Sequence, residues 1–183
     1  MTDPTSEVRQ ILQRFQDGYG ARDMTKLDEF MELFVSGDDV ELIGIGASVR
    51  NENEWFQGAE RIHEIIESDW TYWGDVTLDV DGARITVKGD AAWLSTTGSI
   101  LQTDHIHSED VTGFTLKQMK EMLDDESLSK EDRLIEAAHF GVRRWRERMK
   151  PAGYPWPFVF TAMLIKHEGT WRFHTIHWSM PVD

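Results

Sequence analysis

Apolar residues recur at Val8, Ile11, Leu12, Phe15 and Tyr19, spacings of three and four that place them on one helical stripe. Asp3-Pro4 just ahead reads as a cap with proline in the first turn, and Gly18 and Gly20 mark the end. A second helix is expected after Asp23, with Leu27, Phe30, Met31 and Phe34 on one face and a stop at Ser36-Gly37. A strand over 39–46 follows, then a polar loop holding Trp55. A third helix is expected over 58–69, with Ile62, Ile65, Ile66 and Asp69 on its inner side.

The period then falls from 3.6 to 2. Val76, Leu78 and Val80 alternate with polar residues, Asp81-Gly82 is a hairpin signal, and Ile85 and Val87 belong to the returning strand. Gly89-Asp90 turns the chain into a strand over 91–100. Near the end, strands over 158–167 and 171–180 flank Glu168-Gly169-Thr170 as another hairpin. Residues 103–155 interrupt this meander with two helical stretches, 115–125 and 131–149, closed by the proline-rich loop at 151–157. Helices first and antiparallel strands afterwards predict an α+β domain: a curved antiparallel sheet packed on N-terminal helices, carrying a two-helix insertion over 103–155.

Composition narrows the partners. A chain of 183 residues, 40% hydrophobic, is one domain or one domain with a sizeable insertion. The net charge of −14 argues against nucleic acid, whose phosphates need clustered cations, and against an anionic membrane surface. The charge is uneven: residues 1–102 hold 8 Lys/Arg against 20 Asp/Glu, whereas 143–150 is locally basic. That basic run is either the solvated face of a helix or a contact for an acidic surface. No apolar run approaches the roughly 20 residues of a membrane span, the N-terminal residues do not read as a signal peptide, and cysteine is absent. A cytoplasmic protein is the expectation.

The order of elements and several motifs converge on one family. The strand F-V-S-G-D-D-V-E-L-I-G-I-G, the helix G-A-E-R-I-H-E-I-I-E-S-D-W, the strand G-D-A-A-W-L-S and the hairpin E-G-T-W-R-F-H-T-I-H-W-S-M-P together resemble the nuclear-transport-factor-2-like superfamily. Within it the chain is most similar to the SnoaL-like group, over residues 7–102 and 156–182. The resemblance implies a cone of sheet and helices around an apolar pocket, and a homodimer that pairs sheet faces. It also implies sites that this chain departs from. The position at which ketosteroid isomerase places its general base is Gly44 here, and no strand contains the R-x-D of limonene epoxide hydrolase. The residue types of scytalone dehydratase are present without a spacing that fixes them.

The candidate chemistry lies in the last strand and the third helix. Strict alternation puts Trp171, Phe173, Thr175, His177 and Ser179 on one face, and Arg172, His174, Ile176, Trp178 and Met180 on the other; His174 and His177 share a face only if a bulge intervenes. The face that opens with two aromatics is expected to line the pocket. His177 is then a general base in an apolar site or a core histidine bonded to a neighbour. Asp69, on an apolar helical face, is either its acid–base partner or a helix-end residue turned to solvent. Trp55, Trp70, Trp73, Trp93 and Phe173 form an aromatic wall for a hydrophobic or aromatic ligand, or serve as core packing. His105 and His107 are spaced to share a cation, yet no third ligand has a diagnostic spacing, so no metal is expected. There is no glycine-rich phosphate loop, no nucleophile elbow and no H-E-x-x-H, so no cofactor is expected either. The expected function is a small-molecule pocket protein, as an enzyme a lyase, isomerase or cyclase without cofactor. The alternative is a non-catalytic oligomerisation or regulatory domain.

Overall fold

The computed structural model describes residues 3–45, 47, 49–50, 54–101, 111–151 and 153–180. Their contacts divide into two compact units, one made of 1–101 with 155–183 and the other of 102–154.

The first unit begins with α1 (Pro4–Ala21). Asp3 caps it by accepting from the backbone N–H groups of Thr5 and Ser6, and Pro4 sits where no N–H is needed. The Val8–Ile11–Leu12–Phe15–Tyr19 stripe is buried as its spacing predicts. A short 3-10 turn (Met24–Lys26) leads into α2 (Leu27–Met31), which is shorter than the apolar pattern suggests. After β1 (Glu41–Ile43) and β2 (Trp55–Gln57) comes α3 (Ala59–Tyr72). Trp55, expected in a loop, therefore stands in a strand. The meander follows as β3 (Asp75–Leu78), β4 (Arg84–Lys88) and β5 (Ala91–Leu101), and the chain returns as β6 (Pro155–His167) and β7 (Thr170–Ser179).

The seven strands form one open sheet in the order β2-β1-β7-β6-β5-β3, with β4 on the other half of β5. All pairs are antiparallel except β1 with β7, which run parallel. The β6–β7 turn has positive φ at both Glu168 (50°) and Gly169 (81°), the geometry that matches the twist of a tight hairpin. Helices α1 and α3 supply apolar stripes to one sheet face, giving an α+β fold with a single core in this unit. Phe15 is the hub of that core. Its ring lies 4.9–6.3 Å from those of Tyr19, Phe30, Phe34, Phe160, Phe173 and Trp178. Each such pair adds about 0.5–1.5 kcal/mol beyond the area it buries.

Polar ties hold α1 to the strands. The Arg9 guanidinium donates to the carbonyls of Val80, Asp81 and Ala83. Gln16 donates to Val76 and accepts from the N–H of Leu78, which closes the free edge of β3. Glu7 accepts from Lys166 at 3.0 Å and from the Trp171 indole at 3.1 Å.

The second unit is a pair of helices, α4 (Val111–Asp124) and α5 (Lys130–Met149). Both occupy the stretches where helical periodicity resumes. Leu134, Val142, Trp145 and Met149 of the predicted α5 stripe are exposed, as are Leu116 and Leu123 of α4. Among the described residues no helix is long and apolar enough to cross a membrane.

Candidate functional site

The register of β7 decides which side chains can meet. From Ser179 back to Thr175 its residues pair one for one with Val159 to Met163 of β6, but Leu164 pairs with Phe173. His174 is the extra residue, a β-bulge, and its Nδ1 lies 2.9 Å from the Thr175 hydroxyl. One extra residue reverses the alternation beyond it. Trp171, Phe173, Ile176 and Trp178 therefore all face the core, at 3%, 0%, 0% and 2% exposure. His177 is exposed on the opposite face, in a row with Trp55 and Ile43 on one side and Thr161 on the other. The expectation that His177 points inward and Trp178 outward is thus reversed.

Trp93 pairs with Met163, which pairs with Thr175, on that same outer face, and is 44% exposed. Trp55 is partly buried beneath the Arg50 guanidinium, which lies 5.3 Å from its ring centroid. Phe173 is fully buried against Phe15, Phe34 and Phe160 and acts as core. Neither Trp55, Trp93 nor His177 shares the inner face with Asp69.

What the fold does gather is a polar pair inside an aromatic shell. Asp69 stands near the end of α3, on the stripe of Ile62, Ile66 and Trp70, and is partly buried. Tyr19, fully buried on α1, donates its hydroxyl to Asp69 Oδ2 at 3.0 Å. Around them stand Trp70, 6.4 Å from Tyr19, and Trp178, 5.9 Å from Tyr19. Phe30 packs on both Tyr19 and Trp70, and Trp73 meets Trp178 edge to face at 5.2 Å. The Trp70 indole nitrogen is buried with no hydrogen-bond partner among the described residues.

Burial pushes the Asp69 carboxyl up to about 7; the Tyr19 hydrogen bond pulls it down, and the negative charge of Glu54 adds to the rise. Tyr19 is held well above the usual tyrosine range, first by burial, then by the charge of Asp69 and by the hydrogen bond to it. The phenol thus keeps its proton and serves as a fixed donor. Asp69 is divided between acid and carboxylate near neutrality, the condition in which one group can both give and take a proton.

Tyr19 is legible in the sequence only as one more member of an apolar stripe. The signal that singles it out is chemical: a buried phenol needs an acceptor, and Asp69 is the sole carboxylate on the inner stripe of the facing helix. Among the described residues, no three or more His, Asp and Glu gather as metal ligands would. His105 and His107, whose spacing alone would let them share a cation, lie outside the described residues.

The fold has relatives among known proteins. A sequence model of the SnoaL-like domain matches residues 8–118, well over half of the chain. The chain belongs to the SnoaL-like family. A search of the curated proteins found no match. Among solved structures, the chain shares its fold with a nuclear-transport-factor-2-like protein from Pseudomonas putida. That match has 16% identity and a TM-score of 0.58, and covers 98% of this chain and 87% of the other. A protein from Streptomyces avermitilis, provisionally named a dehydratase of the same superfamily, matches at 12% identity and a TM-score of 0.59, covering 98% and 96%. A third, from Xanthomonas campestris, is provisionally named a calcium/calmodulin-dependent protein kinase II association domain. It matches at 11% identity and a TM-score of 0.56, covering 100% and 91%. At such identities the likeness is one of fold. The SnoaL-like fold as a class supports small-molecule binding and cofactor-independent catalysis.

Proposed function

We propose that this SnoaL-like protein binds a small hydrophobic molecule at the aromatic end of α3 and moves a proton on it through Asp69. The observation that carries the reading is the Asp69–Tyr19 pair: a carboxyl on the inner stripe, poised near neutral pH and oriented by a phenol that stays protonated. Trp70, Trp73 and Trp178 supply apolar surface beside it, and the unpartnered indole N–H of Trp70 suits a ligand with an acceptor oxygen, such as a carbonyl or hydroxyl. Cofactor-free isomerase, lyase or cyclase chemistry follows from one poised carboxyl and a fixed donor. The Streptomyces relative provisionally named a dehydratase is in keeping with that class.

The test is a titration of intrinsic tryptophan fluorescence with a panel of apolar ketones and alcohols between pH 5 and 9. Binding or turnover in the wild type is expected to change with a midpoint near 7, and Asp69→Asn is expected to abolish that dependence while keeping the fold. A panel with no effect on fluorescence, or a pH profile that survives Asp69→Asn, would overturn the reading.

The outer sheet face favours a second role, assembly. Trp93, Val159 and Met163 are 44%, 44% and 51% exposed there, an aromatic and methionine content typical of the centre of an interface. A homodimer through this face is proposed, in line with the similar structure provisionally named an association domain.

A further inference from the structure

Helix α5 has two faces that pack. One is turned to α4. Ala137 is buried, and Gly141 lets Met119 approach so closely that a Cβ there would meet its Sδ and Cε at 2.9 Å. On the same side Arg133 donates to the Leu123 carbonyl and Arg148 to the Thr112 hydroxyl. The other face is Leu134, Ala138, Val142, Trp145 and Met149, at steps of four, four, three and four. At about 100° per residue these steps hold all five within an arc of about 80°, which runs for about 22 Å along the helix. Leu134, Val142, Trp145 and Met149 are 59–67% exposed. A helix face that stays in water is polar, whereas a continuous apolar stripe rich in Trp and Met has the composition of an interface centre.

The charges along α5 say what fits there. Glu131 and Asp132 stand in its first turn and Arg146 and Arg148 in its last, with Lys150 just beyond. A second α5 laid parallel would set like charges side by side. Laid antiparallel, it sets the acidic start of each helix against the basic end of the other. The stripe has the same symmetry. Reversed about a point between Gly141 and Val142, it brings Leu134 opposite Met149, and the small Ala138 opposite the large Trp145. We propose that α5 packs antiparallel on α5 of a second copy of this chain, with the two-fold axis between Gly141 and Val142. Such an isologous contact closes with two chains. It uses none of the residues of the outer sheet face and does not depend on the chemistry proposed for Asp69.

The chain has no cysteine, so introduced thiols report on this contact alone in the full-length protein. A disulfide needs Cα atoms within about 7 Å, which makes it a reader of orientation and register. Leu134→Cys and Met149→Cys, both at exposed positions, are oxidised with copper phenanthroline singly and as an equal mixture. The mixture is expected to give crosslinked dimer. Either variant alone is expected to lose it, since its two thiols would then stand about 20 Å apart at opposite ends of the pair. Val142→Cys, beside the axis, is expected to crosslink with itself. Leu134→Cys or Met149→Cys crosslinking alone as strongly as the mixture would mean a parallel or random contact and overturns the proposal. No crosslink in any sample overturns it too. Thiols then open to maleimide leave the stripe in solvent, and thiols closed to it mean that the same chain covers the stripe. Protein that sediments on phosphatidylglycerol vesicles would assign it to a lipid surface instead.

Discussion

Asp69 and Tyr19 form a pair whose free energy depends on pH in a direction that can be worked out. An aspartate in the unfolded chain titrates near 3.9, and in the folded protein Asp69 does so at about 7. Between those values the folded state binds the proton more tightly, so the contribution is fully present below about pH 4 and is lost as pH rises to 7. Three units correspond to at most about 4 kcal/mol, and to less for a carboxyl that keeps some contact with water. Asp69→Asn is neutral at every pH and retains an acceptor for Tyr19. Its melting temperature relative to wild type is expected to rise from pH 5 to pH 8; a difference that stays constant with pH would contradict the shift. Half of this site is legible in the sequence. Asp69 stands out because a carboxylate interrupts an apolar stripe. Tyr19 does not, because it reads as one more member of the apolar stripe of α1 and its acceptor lies 50 residues away on α3.

At the level of elements, β7 shows where pattern reading succeeds and where a single residue defeats it. Apolar residues on β6 keep strict alternation at Phe158, Phe160, Ala162 and Leu164, but on β7 they fall at Trp171, Phe173, Ile176 and Trp178. The step of three between Phe173 and Ile176 is the bulge, written in the sequence. Reading the strand from its first two aromatics with a fixed period of two carries His177 to the wrong face. Trp178→Ala is expected to cost about 3–5 kcal/mol in chemical denaturation, as for a buried aromatic, and His177→Ala less than about 0.5 kcal/mol. The helices are legible in the sequence, since capping at Asp3 and the 3.6 period act within a few residues. β1 falls within the strand expected over 39–46, whereas β2 stands where a polar loop is expected, three residues being too few to show an alternation.

On the scale of the whole molecule, fold class and family are legible because element order and hairpin signals survive at low identity. The outer-face surface is not, since exposure depends on every strand's register at once. The proposed homodimer predicts that Trp93→Glu combined with Met163→Glu yields a monomer with an unchanged melting profile of the core, read by light scattering after size exclusion. A double variant that stays dimeric would move the interface elsewhere. The same register has a consequence for how the gene can change. Leu101 and Pro155, which bracket the 102–154 unit, are opposite partners on β5 and β6. Partners in an antiparallel ladder have Cα atoms only about 5 Å apart, a gap that a two-residue turn spans. Closing a longer loop there costs only logarithmically more entropy with length. The chain thus leaves and re-enters the first unit at one rung of its sheet, a join at which segments of very different length can be accommodated while the aromatic core of that unit is kept.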